Sequence, residues 1–374
     1  MYSSNIKQIE LELTSKCNAA CPQCARNFHG GKTWPSLPLV NWDFDKLKHS
    51  LSGPIKTLDH LRLCGTYGEP CIYPQFIDFI DWVIANSDCE ITINTNGGIR
   101  SKQWWRDLAN SLGTRGKVYF GIDGLEDTHH LHRRRTRFDR VIDHASEFIN
   151  AGGSAVWSFL VFKHNQHQVE QARELSIQLG FDSFAVKSTS RFVNKTHQLL
   201  DRTPVYSRKG ELEYFLEPTT DERYANSGYK EYIGLLNDNG SHQQALKNIE
   251  IDCIAVKYSG VSVSSEGYVF PCGFLLDRLY GHEAEGHPDH KIFLDMIEAA
   301  GGFDNINLQK RSLEEIVNGK LYQAIKASWS NKSLERCAQQ CGAGSTLLKN
   351  ANTDLAKTWP SKWPKNWINI KEKV

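Results

Sequence analysis

Near its start the chain carries the segment Thr14-Ser-Lys-Cys17-Asn-Ala-Ala-Cys21-Pro-Gln-Cys24-Ala-Arg-Asn27. Its three cysteines have the spacing CxxxCxxC and follow the alternating apolar positions Ile9, Leu11 and Leu13, which indicate a β-strand. Three thiolates on one short loop can hold a metal centre and leave it one ligand short, and an open coordination position is typical of a catalytic metal. The segment therefore predicts the metal site of an enzyme, placed directly after the first strand.

Two plainer interpretations fit the same residues. His29 follows Cys24 at a spacing that would suit a zinc knuckle with three cysteines and one histidine. Reduced cysteines can also simply pack in a core as small apolar groups. The choice between these interpretations depends on the rest of the chain.

Composition narrows the class of protein. The 374 residues suffice for about two domains, and a formal net charge of +1 with a pI near 7.6 gives no overall field to attract nucleic acid or an acidic membrane. The first residues lack the basic and apolar regions of a signal peptide, and no apolar stretch approaches the ~20 residues of a membrane span. We therefore predict a cytoplasmic protein without nucleic-acid or membrane partners, whose ten cysteines are metal ligands or reduced thiols.

From residue 7 to about 190, short β-branched runs alternate with longer amphipathic stretches, which is the pattern of βα units around a parallel sheet. The predicted strands are 7–13, 58–64, 90–95, 117–122, 155–162 and 183–187. The predicted helices lie near 43–51, 74–86, 101–112, 138–151 and 166–179. Six such units form an α/β fold, a partial (β/α)6 TIM-like barrel, whose active sites lie at the carboxyl ends of the strands.

The pattern divides the chain into a barrel domain at 1–190 and three further parts. Residues 191–250 are polar and irregular, and we predict a connecting region with one or two helices that is a candidate lid. Residues 251–345 are predicted to form a smaller α+β domain. Residues 346–374 form a tail that we expect to dock back on the fold rather than to stack on a substrate or on bases, because it contains Trp359, Trp363 and Trp367.

The smaller domain is predicted to contain a β-hairpin and a helix. The hairpin runs from 255–263 to 267–270, and the helix at 312–329 starts with a capping box formed by Ser312 and Glu315. Two cysteines flank the hairpin and two follow the helix, so that four thiolates can close a second metal site, formed by Cys253, Cys272, Cys337 and Cys341.

The first cysteine motif, the strand before it and the loop after it resemble the radical SAM family. In that family the motif holds a 4Fe-4S cluster whose fourth iron is chelated by the amino and carboxylate groups of S-adenosylmethionine, and reduction cleaves the sulfonium to a 5'-deoxyadenosyl radical. The resemblance implies that Cys17, Cys21 and Cys24 are the ligands of this cluster. A flavodoxin or ferredoxin would then supply the electron.

Other segments at successive strand ends carry the same resemblance and imply contacts with S-adenosylmethionine. Gly68-Glu69-Pro70 resembles the Gly-Gly-Glu-Pro motif that binds the amino group, although Tyr67 stands where the first glycine is usual. Thr95 and Asn96 offer hydroxyl and amide groups that suit ribose oxygens. Asp123 lies in a Gly-Ile-Asp-Gly segment that recurs in radical SAM enzymes with an auxiliary-cluster domain.

A basic run, Arg133-Arg134-Arg135-Thr-Arg137, follows this segment. Guanidinium groups pair with carboxylates in a planar fork, so Arg134 or Arg135 could hold the methionine carboxylate, and a solvated basic face is the alternative. The sequence does not distinguish the two arginines.

The second cysteine set resembles the twitch domain, the shortened relative of the SPASM domain. That resemblance implies an auxiliary 4Fe-4S cluster with all four positions filled by protein, which would transfer electrons and not bind substrate. A zinc site with four cysteines is the alternative, because it has the same ligand count.

The resemblance implies hydrogen abstraction from a substrate carbon, and we expect the enzyme to mature a ribosomally synthesised peptide by crosslinking, epimerisation or backbone excision. Because the barrel begins almost at residue 1, we expect a separate protein to bind a leader peptide. The alternatives are an aminosugar-type dehydrogenase that acts on a small molecule and a non-catalytic iron-sulfur or zinc protein.

The sequence does not identify the catalytic residues. An acid or base could be Tyr67, Asp123, Glu126 or His129, and an epimerase would need a hydrogen donor, for which Cys71 is a remote candidate. Two other cysteines, Cys64 and Cys89, are expected to be buried free thiols.

Overall fold

The computed structural model describes residues 5–194, 198–226, 242–247, 249–281, 286–342 and 368–369, with the single positions 228 and 234 and the short stretch 237–239. Six parallel strands follow one another in both chain and sheet order. They are β1 Gln8–Leu11, β2 His60–Leu63, β3 Glu90–Thr95, β4 Gly116–Gly121, β5 Ser154–Val161 and β6 Ser183–Ser188. The predicted partial (β/α)6 TIM-like barrel is confirmed.

Helices connect the strands and cover the outer face of the sheet. They are α1 Phe44–Leu51, α2 Phe76–Asn86, α3 Lys102–Leu112, the short α4 His129–His132, α5 Phe138–Asn150 and α6 Val169–Gln178. Asp43 and Ser101 cap the amino ends of α1 and α3 through their side chains. Gly180 follows α6 with a positive φ of 81°, as its predicted position at a helix end requires.

The barrel interior, called the lumen below, is polar and partly open to solvent. Along β3, Ile91 and Ile93 are buried against the outer helices, whereas Thr92 and Asn94 between them face inward and remain partly exposed. Successive side chains of a strand point to opposite faces, and parallel register carries this alternation to the neighbouring strands. The sheet therefore surrounds a space that a substrate can enter.

The predicted connecting region contains a hairpin that the sequence did not reveal. Strands β7 Thr203–Tyr206 and β8 Leu212–Leu216 pair antiparallel, and a short helix α7, His242–Lys247, follows. The hairpin lies against the first cysteine loop, because the amide of Tyr206 donates to the carbonyl of His29 at 3.0 Å and its ring stacks on Phe28 with 5.3 Å between centroids.

The C-terminal part begins as α8 Ile254–Lys257, β9 Gly260–Val263, β10 Val269–Phe270 and α9 Gly273–Leu276. The predicted strand over 255–263 is thus wrong in its first half, where the chain is helical directly after Cys253 at the N-cap. The predicted hairpin pairs β9 with β10, but β9 also pairs in parallel with β1. The hairpin therefore extends the barrel sheet.

The later helices are α10 Pro288–Ala299, α11 Leu313–Val317, α12 Lys320–Asn331 and α13 Glu335–Cys341. The single helix predicted at 312–329 is wrong, because the chain breaks at Asn318 and Gly319, and Gly319 forms the N-cap of α12. The capping box of Ser312 and Glu315 is confirmed.

Only the two-residue strand β11, Ile368–Asn369, which pairs antiparallel with β6, is described in the tail. The tryptophans at 359, 363 and 367, and with them the docking prediction, lie outside the described residues. Among the residues that are described, no helix is both long and apolar enough to span a membrane.

Candidate functional site

The first cysteine loop leaves the carboxyl end of the first strand, and its three thiols are partly exposed. The amide of Asn96, at the end of β3, donates to the sulfur of Cys17 at 3.8 Å and to the side chain of Asn18 at 2.9 Å. The pKa of Cys21 is raised to about 11. Burial is the main cause, Arg133 opposes the rise, and the neighbouring thiol of Cys24 adds to it. The thiols are close enough that several thiolates in one loop would repel each other until a cation is bound.

The Gly-Glu-Pro loop is tied to the end of β3 through the buried carboxylate of Glu69. That carboxylate accepts hydrogen bonds from the hydroxyl of Thr95 at 2.6 Å and from the backbone amide of Asn96 at 2.8 Å. The structure therefore brings together three residues predicted to contact S-adenosylmethionine. The Glu69 carboxylate is used by the protein itself, so the backbone of the loop is the part that a ligand can reach.

Gly68 allows this loop to lie against the first strand end. A Cβ atom added there would stand 1.7 Å from the carbonyl oxygen of Thr14, a separation that no side chain tolerates. Pro70 is buried at the start of a short 3-10 helix, and Glu69 caps that helix by accepting from the amide of Cys71 at 3.2 Å. The glycine and the proline thus fix the backbone next to the cysteine loop.

Glu12, which the sequence analysis missed, holds the same loop from the lumen side. Its carboxylate accepts from the amides of Tyr67 at 2.6 Å and Gly68 at 2.8 Å. Burial raises the pKa of Glu12 to about 7, and these two hydrogen bonds oppose the rise. A signal was present, since Glu10 and Glu12 alternate with apolar residues in the first strand and must face the interior.

The raised pKa predicts how acidity affects stability. The ordinary pKa of 4.5 applies in the unfolded chain, so the folded state binds more protons between that value and about pH 7. The contribution of Glu12 to the stability of the fold is then greatest below pH 4.5 and is lost as the pH rises through about 7. Denaturant titrations at pH 5 and pH 8 measure the free energy of unfolding. We expect its loss between these two pH values to be smaller in Glu12→Gln than in the wild type by on the order of 2 kcal/mol. Equal pH dependence of the two proteins would contradict it.

Asp123 is fully buried and does not present its carboxylate to a ligand. One oxygen accepts from His132 at 2.7 Å and from Arg133 at 2.5 Å, and the other accepts from the amide of Leu160 at 2.8 Å. Burial alone raises the pKa of Asp123, but Arg133 and His132 more than offset it, so the pKa lies well below its usual range. The structure therefore gives Asp123 the task of holding Arg133, which also contacts the thiol of Cys21.

The two arginines predicted to bind a carboxylate have different surroundings. Arg134 forms an ion pair with Glu213 of β8 at 2.5 Å and lies over the ring of Tyr214. Arg135 is exposed, has a positive φ of 66°, and reaches the carbonyl of Gly31 at 3.4 Å. Arg134 is thus engaged with the hairpin, whereas the side chain of Arg135 is the more accessible of the two.

The structure also limits the candidate catalytic groups. Tyr67, Asp123 and His129 are buried, and Glu126 lies on the surface. Cys71 is fully buried, so the structure gives the hydrogen donor predicted there no access to solvent. Cys89 is buried as expected, but Cys64, after β2, is partly exposed. Its pKa is raised to about 11, mainly by burial, and Arg62 opposes the rise.

The second cysteine set lines one small cavity with mostly apolar walls. Cys253 and Cys272 are the N-cap residues of α8 and α9, and Cys337 and Cys341 lie one turn apart on α13. Burial, together with the neighbouring thiol of Cys253, raises the pKa of Cys272 to about 12. The structure thus brings all four predicted ligands together.

The donors of both sets are thiols. Within the described part of the chain, no three His, Cys, Asp or Glu side chains converge as they would around one ion. In an iron-sulfur cubane each thiolate binds a different iron, so the sulfurs stand farther apart. An all-thiol donor set around an apolar cavity fits such a cluster.

Comparison with known proteins agrees with this arrangement. Residues 11–175 match the model of the radical SAM superfamily, and residues 253–342 match the SPASM iron-sulfur cluster-binding domain. The chain therefore carries a radical SAM domain and a C-terminal SPASM-type domain.

A relative and two solved structures illustrate the similarity. A tungsten-containing aldehyde ferredoxin oxidoreductase cofactor-modifying protein of Pyrococcus furiosus is 25% identical over 193 residues, which are 49% of this chain and 51% of that protein. Native anSMEcpe with bound AdoMet and Kp18Cys peptide has a TM-score of 0.51 at 15% identity, over 94% of this chain and 99% of that chain. Streptococcus suis SuiB bound to precursor peptide SuiA has a TM-score of 0.46 at 16% identity, over 76% and 64%. The chain spans about half the length of the curated relative.

The two matched domains identify the cofactors. The protein is an enzyme that uses S-adenosylmethionine and a 4Fe-4S cluster, and its SPASM-type domain binds auxiliary iron-sulfur. The sulfur donors described above fit these groups. A 4Fe-4S cluster bound at the first cysteine loop would supply the electron for cleaving S-adenosylmethionine.

Proposed function

We propose that this enzyme abstracts a hydrogen atom from a carbon of a ribosomally synthesised peptide and so matures it by crosslinking, epimerisation or backbone excision. The open polar lumen beneath the first cysteine loop carries the proposal, because it gives an extended substrate room beside the radical source. A protein of the same fold, anSMEcpe, has been solved with AdoMet and a peptide bound, which supports this substrate class.

In this proposal Cys17, Cys21 and Cys24 hold the catalytic cluster, and Cys253, Cys272, Cys337 and Cys341 hold the auxiliary one. The backbone at Gly68, with Glu69 and Pro70 fixing it, would bind the amino group of S-adenosylmethionine. Thr95 and Asn96 lie where the ribose would be bound. Arg135 is the better candidate for the methionine carboxylate, since Arg134 is paired with Glu213.

The chain's own residues orient the substrate and exclude water. The hairpin packs over the cysteine loop through Phe28 and Tyr206 and shields one side of it. Arg62 lies on the lumen wall and is buried, and two of its guanidinium nitrogens have no hydrogen-bond partner. The guanidinium stands 3.8 Å from the carboxylate of Glu10, which is too far for a hydrogen bond. Such groups can bind polar atoms of a substrate. We also propose a flavodoxin or ferredoxin as reductant.

The acidic lumen favours one alternative, an aminosugar-type dehydrogenation. Glu10 and Glu12 both face the interior, and one oxygen of Glu12 has no hydrogen-bond partner there. Carboxylates in that position would bind the ammonium group of an aminosugar.

The two substrates can be distinguished in one assay. Anaerobically reconstituted protein with dithionite and S-adenosylmethionine should form 5'-deoxyadenosine, and a peptide substrate should raise its yield at least about tenfold and change in mass. Loss of two hydrogens would indicate crosslinking or oxidation, and uptake of one solvent deuterium would indicate epimerisation. Stimulation by aminosugars alone would overturn the peptide proposal, and no 5'-deoxyadenosine at all would leave only a non-catalytic binding role.

A further inference from the structure

Tyr67 occupies the position of the first glycine in the resembling motif, and the structure shows where its side chain goes. The side chain is 3% exposed. Its hydroxyl lies within hydrogen-bond distance of the carbonyls of Leu276 at 3.1 Å and Tyr280 at 3.2 Å, and it accepts from the amide of Tyr280 at 3.2 Å. The side chain thus reaches across to the C-terminal part of the protein.

The backbone of the same residue is attached to the first metal site. The carbonyl of Tyr67 accepts from the guanidinium of Arg26 at 2.8 Å, and Arg26 follows Cys24 by two residues. Its amide donates to Glu12, as described above. One residue therefore contacts the cysteine loop through its main chain and the C-terminal segment through its side chain.

That segment is continuous with the auxiliary cavity. Leu276 ends α9, and the N-cap of α9 is the cavity-lining residue Cys272. Asp277 pairs with Arg336 at 2.6 Å and so ties the segment to α13. That helix carries Cys337 and Cys341, the other two cysteines of the second set. A movement of residues 276–280 would therefore move the auxiliary site.

We propose that Tyr67 is a positioning residue that fixes the segment following Cys272 against the loop following Cys24, and so sets the separation of the two metal centres. Electron transfer between two centres falls steeply with their separation, so a fixed distance matters to a reaction that passes an electron between them. This proposal rests on the proposed function only for the identity of the metals.

Tyr67→Phe removes the hydroxyl and keeps the ring, and Tyr73→Phe is a matched control. Tyr73 is likewise fully buried, and its hydroxyl has no hydrogen-bond partner in the described structure. In anaerobically purified protein we expect amide hydrogen exchange in residues 276–281 to be about tenfold faster in Tyr67→Phe and unchanged in Tyr73→Phe. In the reduced, reconstituted protein, the magnetic coupling between the two clusters, measured by electron paramagnetic resonance, should change only in Tyr67→Phe.

Unchanged exchange together with unchanged coupling in Tyr67→Phe would overturn the proposal. The wild-type protein provides a second reading if that variant fails to fold. The amide of Tyr280 should exchange more slowly than its neighbours because it donates to Tyr67, and fast exchange there would also overturn the proposal. The exchange data do not depend on catalysis, so a lack of 5'-deoxyadenosine would count against the proposed function alone.

Discussion

Replacing Cys17, Cys21 and Cys24 with alanine is expected to abolish 5'-deoxyadenosine formation and to halve the bound iron, from about eight to about four atoms per chain. The three thiols share one loop at the end of the first strand, so the triple variant removes every predicted protein ligand of this cluster. Iron and sulfide quantification after anaerobic reconstitution, with chromatography of the nucleoside, measures both effects. Single substitutions should have nearly the same consequence, because each removes one of the three thiolates that bind the cluster.

The complementary variant is the double replacement of Cys337 and Cys341. Both lie on α13 and line the auxiliary cavity, far along the chain from the first loop. We expect this variant to lose about four irons, to keep cleaving S-adenosylmethionine and to lose substrate conversion. Cys89→Ala, at a buried thiol beside Ser87, controls for the loss of a cysteine as such. Zinc in place of iron in the wild-type protein, or nucleoside formation by the triple variant, would contradict the assignment of the two sites.

The fold was largely predictable because its signal is local and repeated. Each barrel strand carries its own alternation of apolar residues, and each outer helix its own amphipathic spacing, so six βα units could be identified independently. The hairpin β7–β8 was not predictable, since its partners are distant residues such as His29. The single helix predicted at 312–329 failed because Gly319 breaks it, although the apolar spacing continues on both sides.

The site was predictable only as a set of residues, and not as a set of contacts. Glu69, Thr95 and Asn96 were expected near one another because they follow neighbouring strands, and they do meet. The partner of Arg134 is Glu213, which lies on a hairpin that no local pattern placed there. Asp123 was expected to face a cofactor, yet its direction is decided by His132, the last residue of α4, and by Arg133 directly after it. Side-chain direction therefore depends on tertiary packing that spacing does not encode.

Asp123→Asn is expected to destabilise the barrel by about 3 kcal/mol, which would lower the melting temperature by about 6–12 °C. The substitution keeps the size of the side chain but removes the negative charge opposite Arg133. Breaking a buried ion pair leaves an uncompensated charge, and the lower end of the usual range applies because Arg133 is 22% exposed. Thermal unfolding at pH 7 measures the effect, with Asp139→Asn as control, since Asp139 forms an exposed pair with Arg137 and should change little.

The pH dependence of that difference follows from the lowered pKa of Asp123. A carboxyl group whose pKa is lower in the folded state contributes stability above its unfolded pKa, here the ordinary value of 3.8, and loses it as the pH falls through the folded pKa. The difference between wild type and Asp123→Asn should therefore be full at pH 7 and shrink below about pH 4. A difference that persists in acid would show that lost packing, and not lost charge, destabilises the variant. Because Arg133 also contacts Cys21, the same variant should release iron from the first site sooner than from the auxiliary site.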